Sequence, residues 1–132
     1  MIAEYAPSFH LMPSHRILYV GHDLTLLKSL MEALEDYRVV RCPGGSVAHT
    51  LIESQIIYAL LLLDDELPET TGRELAYFTK GVQHRERTPI IILSLSKAKC
   101  DGKGVCFEKP DNFKSLVSAI KRLLAEAPNV EG

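Results

Sequence analysis

The sequence predicts an α/β fold: a parallel five-stranded sheet with helices on both faces, a three-layer α/β/α sandwich. Three observations predict it. Short β-prone runs alternate with segments of helical spacing from Arg16 onward, and such alternation implies right-handed crossovers and parallel strands. The run from Ile56 to Leu63 is apolar on both faces, as expected of a strand at the centre of a covered sheet. The 132 residues, 46% hydrophobic and 24% charged, suit one domain around one core.

In chain order, residues 1–15 read as an N-terminal arm, since Pro7 and Pro13 interrupt a stretch with no clear period. Residues 16–126 form the domain and 127–132 a frayed tail. Arg16 to Val20 is a β-prone run closed by Gly21, hence the first strand. Asp23 is placed to cap the helix that follows, whose Leu24, Leu27, Leu30, Met31 and Leu34 are expected inward. Tyr37 to Cys42 is a second strand. Ser46 is expected to cap a short helix with Val47, Leu51 and Ile52 inward. The central strand ends on Asp64-Asp65-Glu66, and Pro68 blocks regular continuation. A helix is expected from Gly72 to Val82 and a buried strand from Thr88 to Ser94, its proline tolerable at the start. Leu95 to Gly104 is polar, lysine-rich and contains two glycines, which argues against a stable amphipathic helix. Val105 to Glu108 makes a fifth strand. Asp111 would cap a last helix carrying Phe113, Leu116, Val117, Ile120, Leu123 and Leu124 inward.

Five such strands suit a flavodoxin-like sandwich of order 2-1-3-4-5, in which ligands sit at the carboxyl ends of the strands between the first and third. That crevice would gather Gly21, His22, Asp23 and Asp64, with Ser94 and Lys109 at the same edge. Asp64 and Asp65 then either meet chemistry or only end a strand and solvate its turn.

Composition narrows the classes. A formal net charge of -2 gives neither a nucleic-acid footprint nor a membrane-surface patch. No apolar run approaches the roughly 20 residues of a membrane span, and no signal peptide is visible. Cys42, Cys100 and Cys106 match no metal spacing, and free thiols in a reduced cytoplasmic setting are the simplest reading. His10, His15, His49 and His84 read as surface or loop residues.

The segment Asp64-Asp65-Glu66-Leu67-Pro68-Glu69-Thr70-Thr71-Gly72, the strand ending at Ser94, and Lys109-Pro110 occur in that order on the expected elements. Together they resemble a CheY-like response-regulator receiver domain of two-component signalling. The resemblance implies a phosphorelay in which Asp64 accepts a phosphoryl group from a sensor histidine kinase or phosphotransfer protein. It implies a divalent cation, usually Mg²⁺, that offsets charge on the phosphoryl oxygens. Ser94 and Lys109 would contact those oxygens through a hydroxyl and an ammonium.

Two departures stand out. Receivers carry two acidic residues after the first strand, where this chain has Gly21-His22, a degenerate acidic pocket. Losing two carboxylates should weaken Mg²⁺ binding, because the ion prefers oxygen donors. Asp23 and Glu66 are the remaining candidates to join Asp64 at a metal, with Asp23 also the expected helix cap. His22 either helps Asp64 hold a softer ion such as Zn²⁺ or Mn²⁺, or pairs with Asp64 as a metal-free substitute. The second departure is the interval from Ser94 to Lys109, shorter than in typical receivers by roughly two helical turns, so the fourth helix is expected to be shortened or missing. Cys106 also stands where receivers have a switch aromatic.

Two functions follow. One is an atypical receiver acting as a protein-interaction module, with weak or no phosphorylation at Asp64, bound to a kinase, phosphotransfer protein or other signalling protein. The alternative is a conventional Mg-dependent phosphoacceptor. Neither predicts direct nucleic-acid or membrane binding. A flavin-binding or hydrolytic enzyme is disfavoured, since no Gly-rich phosphate turn follows the first strand and no G-x-S-x-G elbow occurs.

Overall fold

The computed structural model describes residues 15–94, 105–108 and 113–126, with 105–108 described as backbone. Its elements are β1 (Arg16–Val20), α1 (Leu24–Ala33), β2 (Arg38–Cys42), α2 (Gly45–Glu53), β3 (Leu60–Asp64), α3 (Gly72–Lys80), a 3₁₀ turn at Gln83–Arg85, β4 (Ile90–Ser94), β5 (Val105–Glu108) and α4 (Phe113–Glu126). The five strands form one parallel sheet of order β2-β1-β3-β4-β5, as the alternation and the apolar run predict. Expectations about the arm, the Leu95 to Gly104 helix, Cys100, Lys109-Pro110, the Asp111 cap and the tail lie outside the described residues.

Every residue of β3 and β4 is buried. Side-chain alternation then splits the core in two. Ile17, Tyr19, Leu60, Leu62, Ile91 and Leu93 face α1 and α4, packing on Leu30, Leu34, Leu116 and Ile120. Leu18, Val20, Leu61, Leu63, Ile90 and Ile92 face α2 and α3, packing on Ala48, Ile52, Leu75 and Ala76. Fully burying a leucine contributes about 1.5–3 kcal/mol, so the doubly covered β3 is the strand the domain can least spare.

The helices correct several inward assignments. Leu30 is sealed, but Leu24 and Met31 are 59% and 51% exposed. They lie about 120° and 100° around α1 from Leu30 at 3.6 residues per turn, outside the stripe made by Leu26, Leu27, Leu30 and Leu34. On α2 the inward pair is Ala48 and Ile52, four apart, and Val47 is exposed. Strand β3 begins at Leu60 rather than Ile56, because its ladder with β1 starts at Ile17↔Leu60; Ile56 and Ile57 are exposed. Ser46 does not cap α2, for Gly44 is the N-cap and offers no side chain. Glu69 supplies the missing acceptor from the loop after β3, its Oε1 taking the Ser46 N–H at 2.8 Å and its Oε2 the Ser46 hydroxyl at 3.0 Å. Those bonds hold the Glu69 carboxyl below its ordinary range.

Candidate functional site

Tyr19 and Leu62 are partners across β1 and β3, so the next residues on the same face are Gly21 and Asp64. This register builds the site. The Tyr19 ring lies along its own strand toward the rim, and its hydroxyl donates to Asp64 Oδ2 at 3.2 Å. The Tyr19 hydroxyl oxygen in turn accepts the Asp23 N–H at 3.1 Å. Gly21 leaves the room for this: a Cβ there would fall 2.4 Å from Asp64 Oδ2, 2.5 Å from the Tyr19 hydroxyl oxygen and 2.6 Å from Tyr19 Cζ. Burial, and secondarily the negative charge of Asp64, push the Tyr19 hydroxyl well above the ordinary phenol range. It therefore stays protonated and keeps donating.

Asp64 is only 4% exposed. Asp65, beside it, serves the scaffold. Its carboxylate accepts from Arg73 Nε and from the Arg73 N–H, both at 3.1 Å, and its own N–H donates to Leu93 O at 2.8 Å. The loop from Glu66 to Thr71 is closed by a bridge between those two residues. Thr71 opens α3 with a capping box, its hydroxyl accepting from the Glu74 N–H while Glu74 Oε1 accepts from the Thr71 N–H. A Cβ at Gly72 would lie 2.6 Å from the Asp64 carbonyl oxygen, which is why the segment after β3 needs glycine there. Ser94 is fully buried at the end of β4, one position beyond the Asp64↔Leu93 pair. The register thus brings Asp64 and Ser94 to adjacent strand ends, while Lys109 lies outside the described residues.

The residues after β1 take other roles. His22 is exposed and is not the partner of Asp64; Tyr19 fills that place. Asp23 Oδ1 accepts the Leu26 N–H at 2.9 Å and so caps α1. Glu66 is exposed in its loop. Among the described residues no three His, Cys, Asp or Glu side chains gather as a metal set. Among the described residues the donor set does not fit Mg²⁺. Gly21 brings no side-chain oxygen, Asp23 Oδ1 caps a helix, and a phenol occupies the side of Asp64 that faces β1. Tyr19 was missed in the sequence, although a tyrosine two residues before a glycine, on the face that meets the β3 acid, was the available signal.

No protein-family model and no curated protein sequence matches the chain. Solved structures do. The chain is similar to a CheY-like response regulator receiver domain protein from Methanospirillum hungatei JF-1, at 27% identity over 89% of this chain and 98% of that one, TM-score 0.69. It is similar to the response regulator TrrA from Thermotoga maritima in complex with Mg²⁺ and BeF, at 25% identity over 82% and 97%, TM-score 0.67. Its fold also matches the receiver domain of sensor histidine kinase PA1611 from Pseudomonas aeruginosa PAO1, a structure with magnesium in its active site cleft, at 24% identity over 86% and 99%, TM-score 0.74. No helix among the described residues is long and apolar enough to cross a membrane.

Proposed function

We propose that this chain, a CheY-like receiver domain, works in phosphorelay signalling as a protein-interaction module whose Asp64 takes up a phosphoryl group weakly or not at all. The contact from the Tyr19 hydroxyl to Asp64 Oδ2 carries the reading. A carboxylate that attacks phosphorus needs an open oxygen and electrostatic help with the charge on the transferring group. Here the acid is nearly buried with its Oδ2 held by a phenol, and the positions that would bring further carboxylates hold Gly21 and the exposed His22. What remains is the receiver surface. Its partners are a sensor histidine kinase, a phosphotransfer protein or another signalling protein, met independently of the chemical state of Asp64.

The conventional reading, phosphoryl uptake at Asp64 with Ser94 and Lys109 assisting, draws on one observation: Asp64 and Ser94 end neighbouring strands. One experiment separates the two. Wild-type protein is incubated with acetyl phosphate and Mg²⁺ beside Asp64→Asn, and intact masses are recorded. The interaction-module reading expects at most a trace of phosphoryl adduct beyond that of the variant. A near-stoichiometric adduct on the wild type that vanishes in Asp64→Asn would establish the conventional one.

A further inference from the structure

We infer that Tyr19 and Gly21 form a single coupled device that keeps a cation away from Asp64, with Tyr19 the positioning residue and Gly21 the space it needs. The inference deepens the proposed function and rests on it.

The geometry is mutual. Tyr19, Gly21 and Asp64 share one face of the sheet, with Gly21 next to Asp64 across the β1–β3 ladder. Any side chain at position 21 would enter the space between Asp64 Oδ2 and the Tyr19 hydroxyl, 2.4 and 2.5 Å from the added carbon. That direction is the one a carboxylate at position 21 would take to meet a cation beside Asp64. The tyrosine ring therefore excludes an acid at 21, and an acid at 21 excludes the ring. The phenol also does more than fill space. It donates to Asp64 and accepts from the Asp23 N–H, the N-cap donor of α1. In α3 the equivalent N-cap donor, the Thr71 N–H, is taken by Glu74 three residues on. In α1 the residue three on is Leu26, which has no acceptor, so Tyr19 takes that role. One hydroxyl thus ties the candidate acceptor to the start of a helix without a metal.

The two residues are tested together. Gly21→Ala in the wild-type background should shift the unfolding equilibrium toward the unfolded state by at least about tenfold, because overpacking a filled site is costly. In the Tyr19→Val background the same change should cost less, because the ring is gone and only the Asp64 carboxylate, released from the phenol, has to turn aside, a non-additivity expected of residues in contact. Mn²⁺ binding, read by the loss of its free-ion EPR signal, gives the functional arm. Tyr19→Val/Gly21→Asp should bind Mn²⁺ at least about tenfold more tightly than wild type, since an added carboxylate is a hard-ion ligand. Adding Asp64→Asn should abolish the gain. A double variant that folds, by circular dichroism, yet binds Mn²⁺ no better than wild type would overturn the inference. So would an additive cycle.

Should the double variants not fold, Tyr19→Phe keeps the ring and decides the matter by NMR. Faster exchange of the Asp23 amide proton together with a shifted Asp64 carboxyl carbon resonance supports the tie; both unchanged would refute it. Near-stoichiometric phosphorylation of the wild type is a separate result. It would remove the proposed function, whereas the cycle and the Mn²⁺ arm speak to the coupled pair alone.

Discussion

Arg85, beneath the amino-terminal edge of the sheet, and Asp64, at its carboxyl rim, are both nearly sealed from solvent, at 2% and 4% exposure. Arg85 is surrounded by acceptors that belong to the backbone. Its Nε donates to Ile52 O at 2.9 Å, and one terminal nitrogen donates to Leu51 O and Ser54 O at 3.2 and 3.0 Å. These carbonyls close the C-terminal end of α2, where a cation also meets the negative end of the helix dipole. The Tyr58 ring lies 5.0 Å beneath the guanidinium. Asp64 instead meets the side chain of Tyr19 from a neighbouring strand. Backbone acceptors are present whatever the local sequence, so the Arg85 end is a fixed joint. A side-chain partner can be exchanged by one substitution, so what meets Asp64 Oδ2 from β1 depends on the residues at 19 and 21. A joint and a site differ in who supplies the partner.

The largest effect that would break this comparison is at the joint. Arg85→Ala takes the side-chain donor from Ile52 O, one of several donors from Leu51 O and Ser54 O, and the cation over Tyr58, and it should cost about 3 kcal/mol in urea unfolding. A loss below about 1 kcal/mol would show that Arg85 is no more than a surface-like contact.

At the rim, Tyr19→Phe should cost about 1–2 kcal/mol near neutral pH, the price of one hydrogen bond to a buried carboxylate. It also has a pH signature. The phenol ionises near 10.0 in the unfolded chain and is raised in the fold, first by burial and then by Asp64. Above that pH the unfolded state holds fewer protons than the folded one, so stability falls as pH rises. The contribution is fully present below pH 10.0 and lost progressively above it, with a slope approaching about 1.4 kcal/mol per pH unit. Tyr58, also raised by burial, acts in the same direction in both proteins. Thermal unfolding between neutral and alkaline pH should therefore show a shallower decline in Tyr19→Phe than in wild type. Equal slopes would place the phenol in an ordinary environment.

The smallest effect is at the helix start. Asp23→Ala should destabilise by about 1 kcal/mol, and Asp23→Asn should recover most of it, because both Asp and Asn are good N-caps. Failure of Asn to recover stability in urea unfolding would mean that the charge of Asp23, rather than its capping oxygen, matters at the rim.

Much of the fold was legible because its signals are local. The buried run before Asp64, the glycine after β1 and the periodic leucines of the last helix each act within a few residues of themselves. The Asp23 cap was legible for the same reason, and the capping box of Thr71 and Glu74 could have been found from their spacing. Val47 and Met31 were misassigned because each of their helices offers two plausible apolar stripes, and only the packed sheet chooses between them. Glu69 as the stand-in cap of α2 joins residues 23 positions apart, and nothing near Ser46 announces it. Nothing in the sequence singles out Arg85, since its acceptors lie more than thirty residues earlier.

The sequence by itself determined the order of strands and helices and which residues end the strands, since period, apolar runs and turn residues are properties of short stretches. It placed Asp64 and Ser94 at the ends of neighbouring strands for that reason. Only the tertiary structure decided what Asp64 meets. Tyr19 and Asp64 are 45 residues apart, and their contact depends on strand register, side-chain alternation and the empty volume at Gly21, none of which any one segment carries.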